Sequence, residues 1–148
     1  MGNFVNPTNK VVVKGTADEE VLTVTGTVTE CKPGRLVKRG ADDTKIVIGD
    51  ADTDMIGFLG FEQTFATYRP ANISTAYALN DKATVVSGFG IHVMAYGSEA
   101  IVKGDLVGAA ADGKVAKVED GIDDAGLVVG RALETITGAG PIRIRSMI

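Results

Sequence analysis

The chain has 148 residues, 45% hydrophobic and 23% charged, with 19 glycines, one histidine, one cysteine and no tryptophan. That length suits one domain, or two small lobes sharing a core, and the composition excludes wholesale disorder. Acidic side chains outnumber basic ones by 19 to 15, which argues against a dedicated nucleic-acid binder, and the apolar runs fall far short of the ~18 residues a membrane span needs.

Apolar residues alternate with polar ones or form short β-branched runs, and glycine interrupts them every few residues. In chain order the candidate strands are Val11–Val13, Val21–Thr25, Thr27–Val28, Leu36–Val37 and Ile46–Ile48. Ala83–Val86, Ile91–Met94, Val115–Val118, Leu127–Val129 and Ile142–Arg145 follow. Val, Ile and Thr are crowded in a helix but sit well on a pleated surface. Pro33-Gly34, Asp112-Gly113, Asp120-Gly121 and Gly138-Ala139-Gly140-Pro141 supply the turns between them. Such spacing predicts an all-β protein, a compact barrel or sandwich. Only Thr64–Ala78 lacks strand character, and a short helix or long crossing loop is expected there.

Laid against itself, the chain shows two similar halves. Gly34-Arg35-Leu36-Val37, an acidic turn at Asp42-Asp43 and Lys45-Ile46-Val47 run parallel to Gly104-Asp105-Leu106-Val107, Asp112-Gly113 and Lys114-Val115. Downstream, Ile56–Glu62 aligns with Val128–Glu134. The expected organisation is a flexible N-terminal arm over 1–9 and a single β domain over 10–148, with pseudo-repeats at 32–86 and 103–145.

Few residues carry chemistry. His92 alternates with apolar neighbours and has no second histidine or patterned carboxylates near it in sequence, so it reads as a partly exposed strand residue. Cys31 has no intrachain partner, which excludes an internal disulfide and fits a reducing cytoplasm; no secretory leader pattern opens the sequence. Asp42, Asp43, Asp50, Asp52 and Asp54 invite a calcium reading, but Met55 stands where a calcium loop needs glycine and no glutamate closes the motif. Gly57-Phe58-Leu59-Gly60 and Gly88-Phe89-Gly90 lack the lysine and the strand-to-helix junction of a phosphate loop. Lys32, Arg35, Lys38 and Arg39 form the one notable positive patch, read as a protein-contact surface. No catalytic residue, cofactor site or metal site is expected.

The string Lys32-Pro33-Gly34-Arg35-Leu36-Val37, Ile56–Gln63, Tyr68-Arg69-Pro70, Ala76–Asp81, Val102–Val115, Gly130–Glu134 and Ile142–Ser146 resembles the capsid decoration (cement, head-stabilising) proteins of tailed viruses. The likeness covers nearly everything after about Thr29 and implies a β-tulip fold. It also implies a homotrimer on the outer surface of an icosahedral shell. There it would sit at three-fold and quasi-three-fold positions of the virion, bridging copies of the major capsid protein after the shell expands. On that view the polar N-terminal stretch with Phe4 and Val5 as its apolar anchors orders on the capsid, with Asn3, Phe4, Val5 and Asn6 as contacting residues. Two other readings stay open: a ligand- or glycan-binding barrel, for which eight aromatics are few, and a trimeric nucleotide hydrolase. Asp54, Tyr68 and Arg69 are the residues the hydrolase reading would use, in a spacing that matches no recognised motif.

Overall fold

A computed structural model describes residues 9–51, 54–62, 65–119 and 128–148, and shows an all-β chain. The strands are β1 (Val12–Lys14), β2 (Asp18–Val24), β3 (Leu36–Arg39), β4 (Lys45–Ile48), β5 (Met55–Leu59) and β6 (Lys82–Ser87). They continue as β7 (His92–Gly97), β8 (Leu106–Ala109), β9 (Val115–Lys117), β10 (Val128–Ala132) and β11 (Gly140–Ser146). The segment joining β5 to β6 holds one 3₁₀ turn, Ala66–Tyr68, where sequence predicts a short helix or crossing loop. Thr27 and Val28 are not a strand: they lead into a turn at Thr29-Glu30, closed by Cys31 N–H donating to the Val28 carbonyl at 3.0 Å.

The strands close two barrels. Strands β2, β4, β3, β5 and β6 form the first, in that order around the wall. Strands β7, β11, β10, β8 and β9 form the second, closed by β7–β9, with β1 added against β7. Both barrels use the same wiring. The first strand of each runs antiparallel to the fifth (β2–β6, β7–β11) and parallel to the third (β2–β4, β7–β9). Closure removes most of the unpaired edges that an open sheet of such short strands would leave.

The match extends to single residues. Val37 faces Gly57 and Lys38 faces Met55, so Ile56 is an extra residue in β5. Val107 faces Gly130 and Gly108 faces Val128, so Val129 is the extra residue in β10. A β-bulge of this kind kinks a strand and tightens its twist, which helps a small barrel close. Glycine follows the bulge in both places because the neighbouring wall is so near. A Cβ at Gly57 would lie 2.6 Å from the Val86 carbonyl oxygen, and one at Gly130 would lie 2.5 Å from that of Arg145. The register therefore pairs Gly57 with Gly130, one residue away from the alignment that matches Glu62 to Glu134.

Two apolar clusters fill the molecule. Leu22, Val24, Cys31, Val37, Ile46, Leu59, Tyr77, Ala83 and Val85 form the first. In the second, Leu36, Phe58 and Val86 of the first barrel pack with Val93, Ala95, Val107, Ile142 and Ile144 of the second, so one cluster spans the seam. Each large apolar side chain buried there contributes about 1.5–3 kcal/mol.

Arg35 clips the seam. Its side chain is almost fully buried, its guanidinium lies 4.5 Å from the Tyr96 ring centroid, and Nη1 donates to Glu30 Oε2 at 2.8 Å and the Asp112 carbonyl at 2.9 Å. Beside it, Gly113 N–H donates to the Gly49 carbonyl at 2.9 Å. The turn between β8 and β9 thus rests on the first barrel. This takes Arg35 out of the surface patch expected from Lys32, Arg35, Lys38 and Arg39, while the other three stay at the surface. Arg35 is drawn inward by Tyr96 and Glu30, Lys32 pairs with Glu30 at 3.5 Å, and Arg39 pairs with Asp43 at 2.6 Å.

Candidate interaction surface

The residues sequence singles out are scattered and mostly structural. His92 is half-buried on β7; burial, then the charges of Lys14, Arg145 and Arg143, hold its imidazole below the ordinary range. Strand register places Lys14, His92, Arg145 and Arg131 side by side across β1, β7, β11 and β10. Within that row, Lys14 and Arg145 add to burial in holding the His92 imidazole low. Cys31 is buried, and burial followed by the charge of Glu30 pushes its thiol up to about 11. A thiol held neutral in this way is a poor nucleophile at physiological pH.

The acidic residues near the first hairpin make turns. Asp42 Oδ1 accepts from Thr44 N–H at 2.9 Å and Thr44 Oγ1 at 2.6 Å, and these bonds with the nearby Lys45 lower its carboxyl to about 2. Asp50 Oδ1 accepts from Ala51 N–H at 2.8 Å, while Asp52 lies outside the described residues. Among the described residues no three His, Cys, Asp or Glu side chains converge as a metal site. Asp54 and Arg69 of the hydrolase reading line different clefts. Asp54 lines a shallow cleft with Lys38, Arg39, Met55 and Ile56, whereas Tyr68 stacks obliquely on Phe65 with ring centroids 6.1 Å apart. The guanidinium of Arg69, the next residue, lies 5.5 Å from the Phe61 ring centroid.

A cleft of about 410 Å³ lies between the start of the described chain and the first barrel. Asn9, Lys10, Val11 and Val12 form one wall; Glu19, Gly60, Phe61, Arg69, Thr84 and Val86 form the rest. The chain is anchored at its edge by Val11, which is 3% exposed and whose carbonyl accepts from Met94 N–H at 2.8 Å. Below the cleft, sequence reasoning missed a buried polar knot. Tyr77 Oη donates to the Gly60 carbonyl at 2.6 Å and accepts from Glu62 N–H at 2.9 Å. Glu62 accepts from Thr84 Oγ1 at 3.1 Å and Phe65 N–H at 3.0 Å. Only an odd feature, a glutamate directly after an apolar strand, hinted at it. Asn3, Phe4, Val5 and Asn6, the expected capsid contacts, lie outside the described residues.

The remaining surface has isolated apolar points rather than a pocket for chemistry. Phe89 is 77% exposed between Gly88 and Gly90, whose N–H groups donate to the carbonyls of Ile148 and Ser146 at 2.8 Å each. Phe65, Tyr68, Leu79 and Val102 are also exposed. A ring held on a pinned turn loses little entropy when a partner covers it, which is the property of an interface anchor. The first strand of the first barrel adds three successive exposed acids, Asp18, Glu19 and Glu20.

No protein-family model matches the sequence, and neither does any curated protein. The fold has a solved counterpart. The chain is similar to the head fiber gp8.5 N base of bacteriophage phi29, with 14% identity over 88% of this chain and 94% of that chain, at a TM-score of 0.54. At that identity the shared property is the fold alone.

Proposed function

We propose that this chain is a structural protein of a phage virion, bound to the head as a decoration or cement protein. The observation that carries the proposal is the likeness to the phi29 head fiber base, which runs nearly end to end on both chains. The architecture supports it. Two barrels locked by Arg35 and a shared apolar cluster make a stiff body, with contact features at its edges.

In the full form of the proposal the protein belongs to the β-tulip type and is a homotrimer on the outer capsid surface at three-fold and quasi-three-fold sites. It contacts the major capsid protein, with the arm residues Asn3, Phe4, Val5 and Asn6 ordering on the shell. Three linked contacts act far more tightly than one, so a trimer suits attachment at symmetric positions. The shared bulge and wiring of the barrels support an origin by duplication.

The test is addition of purified protein to expanded capsids of the phage that encodes it. Co-sedimentation at a fixed copy number and a rise in the capsid melting temperature are expected. Capsids that neither retain the protein nor gain stability would refute the proposal. Removing residues 1–9 separates the arm from the body: unchanged occupancy would eliminate Asn3–Asn6 as contacts.

A further inference from the structure

The equivalence of the two barrels exposes a place that one fills and the other leaves open. β7 has β11 along one edge, and along the other it has β9 at Gly97 and β1 at His92 and Val93. β2 has β6 along one edge, and along the other β4 at Thr23 and Val24. The pairs Val24–Ile46 and Gly97–Val115 make Val24 the counterpart of Gly97. Val21 is then the counterpart of Met94, and Glu19 of His92. Met94 N–H donates to the Val11 carbonyl of the chain that leads into β1. Among the described residues no strand pairs with β2 at Asp18–Val21 on that same side.

Backbone direction follows from the bonds around it. Val24 N–H donates toward β6, to the Asp81 carbonyl at 2.9 Å, whereas Thr23 N–H and Thr25 N–H donate toward β4 at 2.8 and 2.9 Å. Alternation carries Val21 and Glu19 to the β4 side, where β4 does not reach. Four residues of edge are too few to drive aggregation, yet enough to accept a strand. The edge is acidic, with Asp18, Glu19 and Glu20 exposed, and Val21 on the edge itself is 39% exposed. On the opposite, β6 side of the strand the same three acids line a shallow notch with Val85, Ser87 and Ile56.

We propose that the open edge of β2, Asp18–Val21, accepts an extended, acid-free segment of the capsid shell carrying lysine or arginine and an apolar side chain. The chemistry of that segment comes from two sources. The three carboxylates select positive charge, and the strand filling the equivalent place in the second barrel is itself Val12-Val13-Lys14, preceded by Lys10. A second copy does not offer its β1, because that strand is already paired with β7 and anchored by the buried Val11. The inference rests on the proposed capsid role, and it names the part of the body that the shell grips.

Val21→Pro removes an N–H that faces the open side while leaving the β2–β6 ladder intact, and proline is tolerated at such edge positions. Its melting temperature and circular dichroism should match wild type, with capsid affinity about tenfold weaker or worse, as expected for lost main-chain bonds. Glu19→Lys with Glu20→Lys keeps the backbone donor, repels a basic strand, and should weaken binding to a similar degree. It serves if the proline variant does not fold. On capsids, the Glu19 and Val21 amides should exchange hydrogen more slowly than in free protein. Wild-type occupancy by a folded Val21→Pro protein and by the lysine pair would overturn the inference while leaving the capsid role standing. Dissociation of a capsid-free oligomer by Val21→Pro would assign the edge to a second copy and overturn it as well. Failure of the wild-type protein to bind would instead strike the role itself.

Discussion

Gly34 and Gly104 hold the same place in the two barrels, two residues before β3 and β8, and both have left-handed backbone, φ +88° and +98°. Their surroundings differ. A Cβ on Gly34 would fall directly on the carbonyl oxygen of Met94 in the other barrel, while a Cβ on Gly104 meets nothing within 4 Å. Alanine at either position has a left-handed cost of about 1–2 kcal/mol. At Gly34 the obstructing atom is backbone and cannot rotate away, so relief means opening the seam, and overpacking adds about 1–3 kcal/mol. Gly104→Ala should thus lose about 1–2 kcal/mol and Gly34→Ala about 2–5 kcal/mol. For a chain near 150 residues each kcal/mol is about 2–4 °C in melting temperature. Urea unfolding followed by circular dichroism resolves the pair, and Gly34→Ala should in addition broaden the transition if the barrels begin to melt separately. Equal losses within about 0.5 kcal/mol would refute the argument that Gly34 is required by the contact between barrels rather than by its turn.

Three further outcomes follow from the buried and titrating groups. Tyr77→Phe leaves the Gly60 carbonyl and Glu62 N–H buried without their shared partner, so denaturant titration should show a loss of about 2–4 kcal/mol; a loss below about 0.5 would mean the knot is replaced without cost. The Cys31 thiol, buried and raised to about 11, should resist a disulfide-exchange reagent at pH 8 in native protein and react fully in urea; equal rates would contradict its burial. His92 has a folded-state pKa below its ordinary 6.5, so the unfolded chain takes up the proton first and stability falls as pH drops below about 6.5. Unfolding curves from pH 7 to 5 should show this decline, and His92→Gln should lessen it; an unchanged slope would show that His92 does not contribute.

Much of the fold is legible in the β-branched runs and turn residues. Leu36-Val37, Ile46–Ile48, Ala83–Val86 and Ile142–Arg145 all fall in strands, and Gly34 and Gly104 mark equivalent turns. The acidic start of β2 is less legible, because Asp18, Glu19 and Glu20 are poor strand formers held extended by Ser87, Val86 and Val85 across the ladder. Arg35 misleads for a related reason. Its charge suggests a surface, and only the Tyr96 ring and Glu30, 61 and five residues away in sequence, make burial affordable.

By itself the sequence determined the all-β class and the turns at Pro33-Gly34 and Asp112-Gly113, since these follow from the local preferences of Val, Ile, Thr, Gly and Asp. Gly140-Pro141, expected in a turn, opens β11 instead, and Asp120-Gly121 lies outside the described residues. The tertiary structure alone decided which strands close each barrel, that Gly57 rather than a residue beside it matches Gly130, and that among the described residues no strand covers β2 where β1 covers β7. Strand pairing is a contact between distant segments, and its register changes with a single bulge. No local pattern records whether a neighbour lies along an edge.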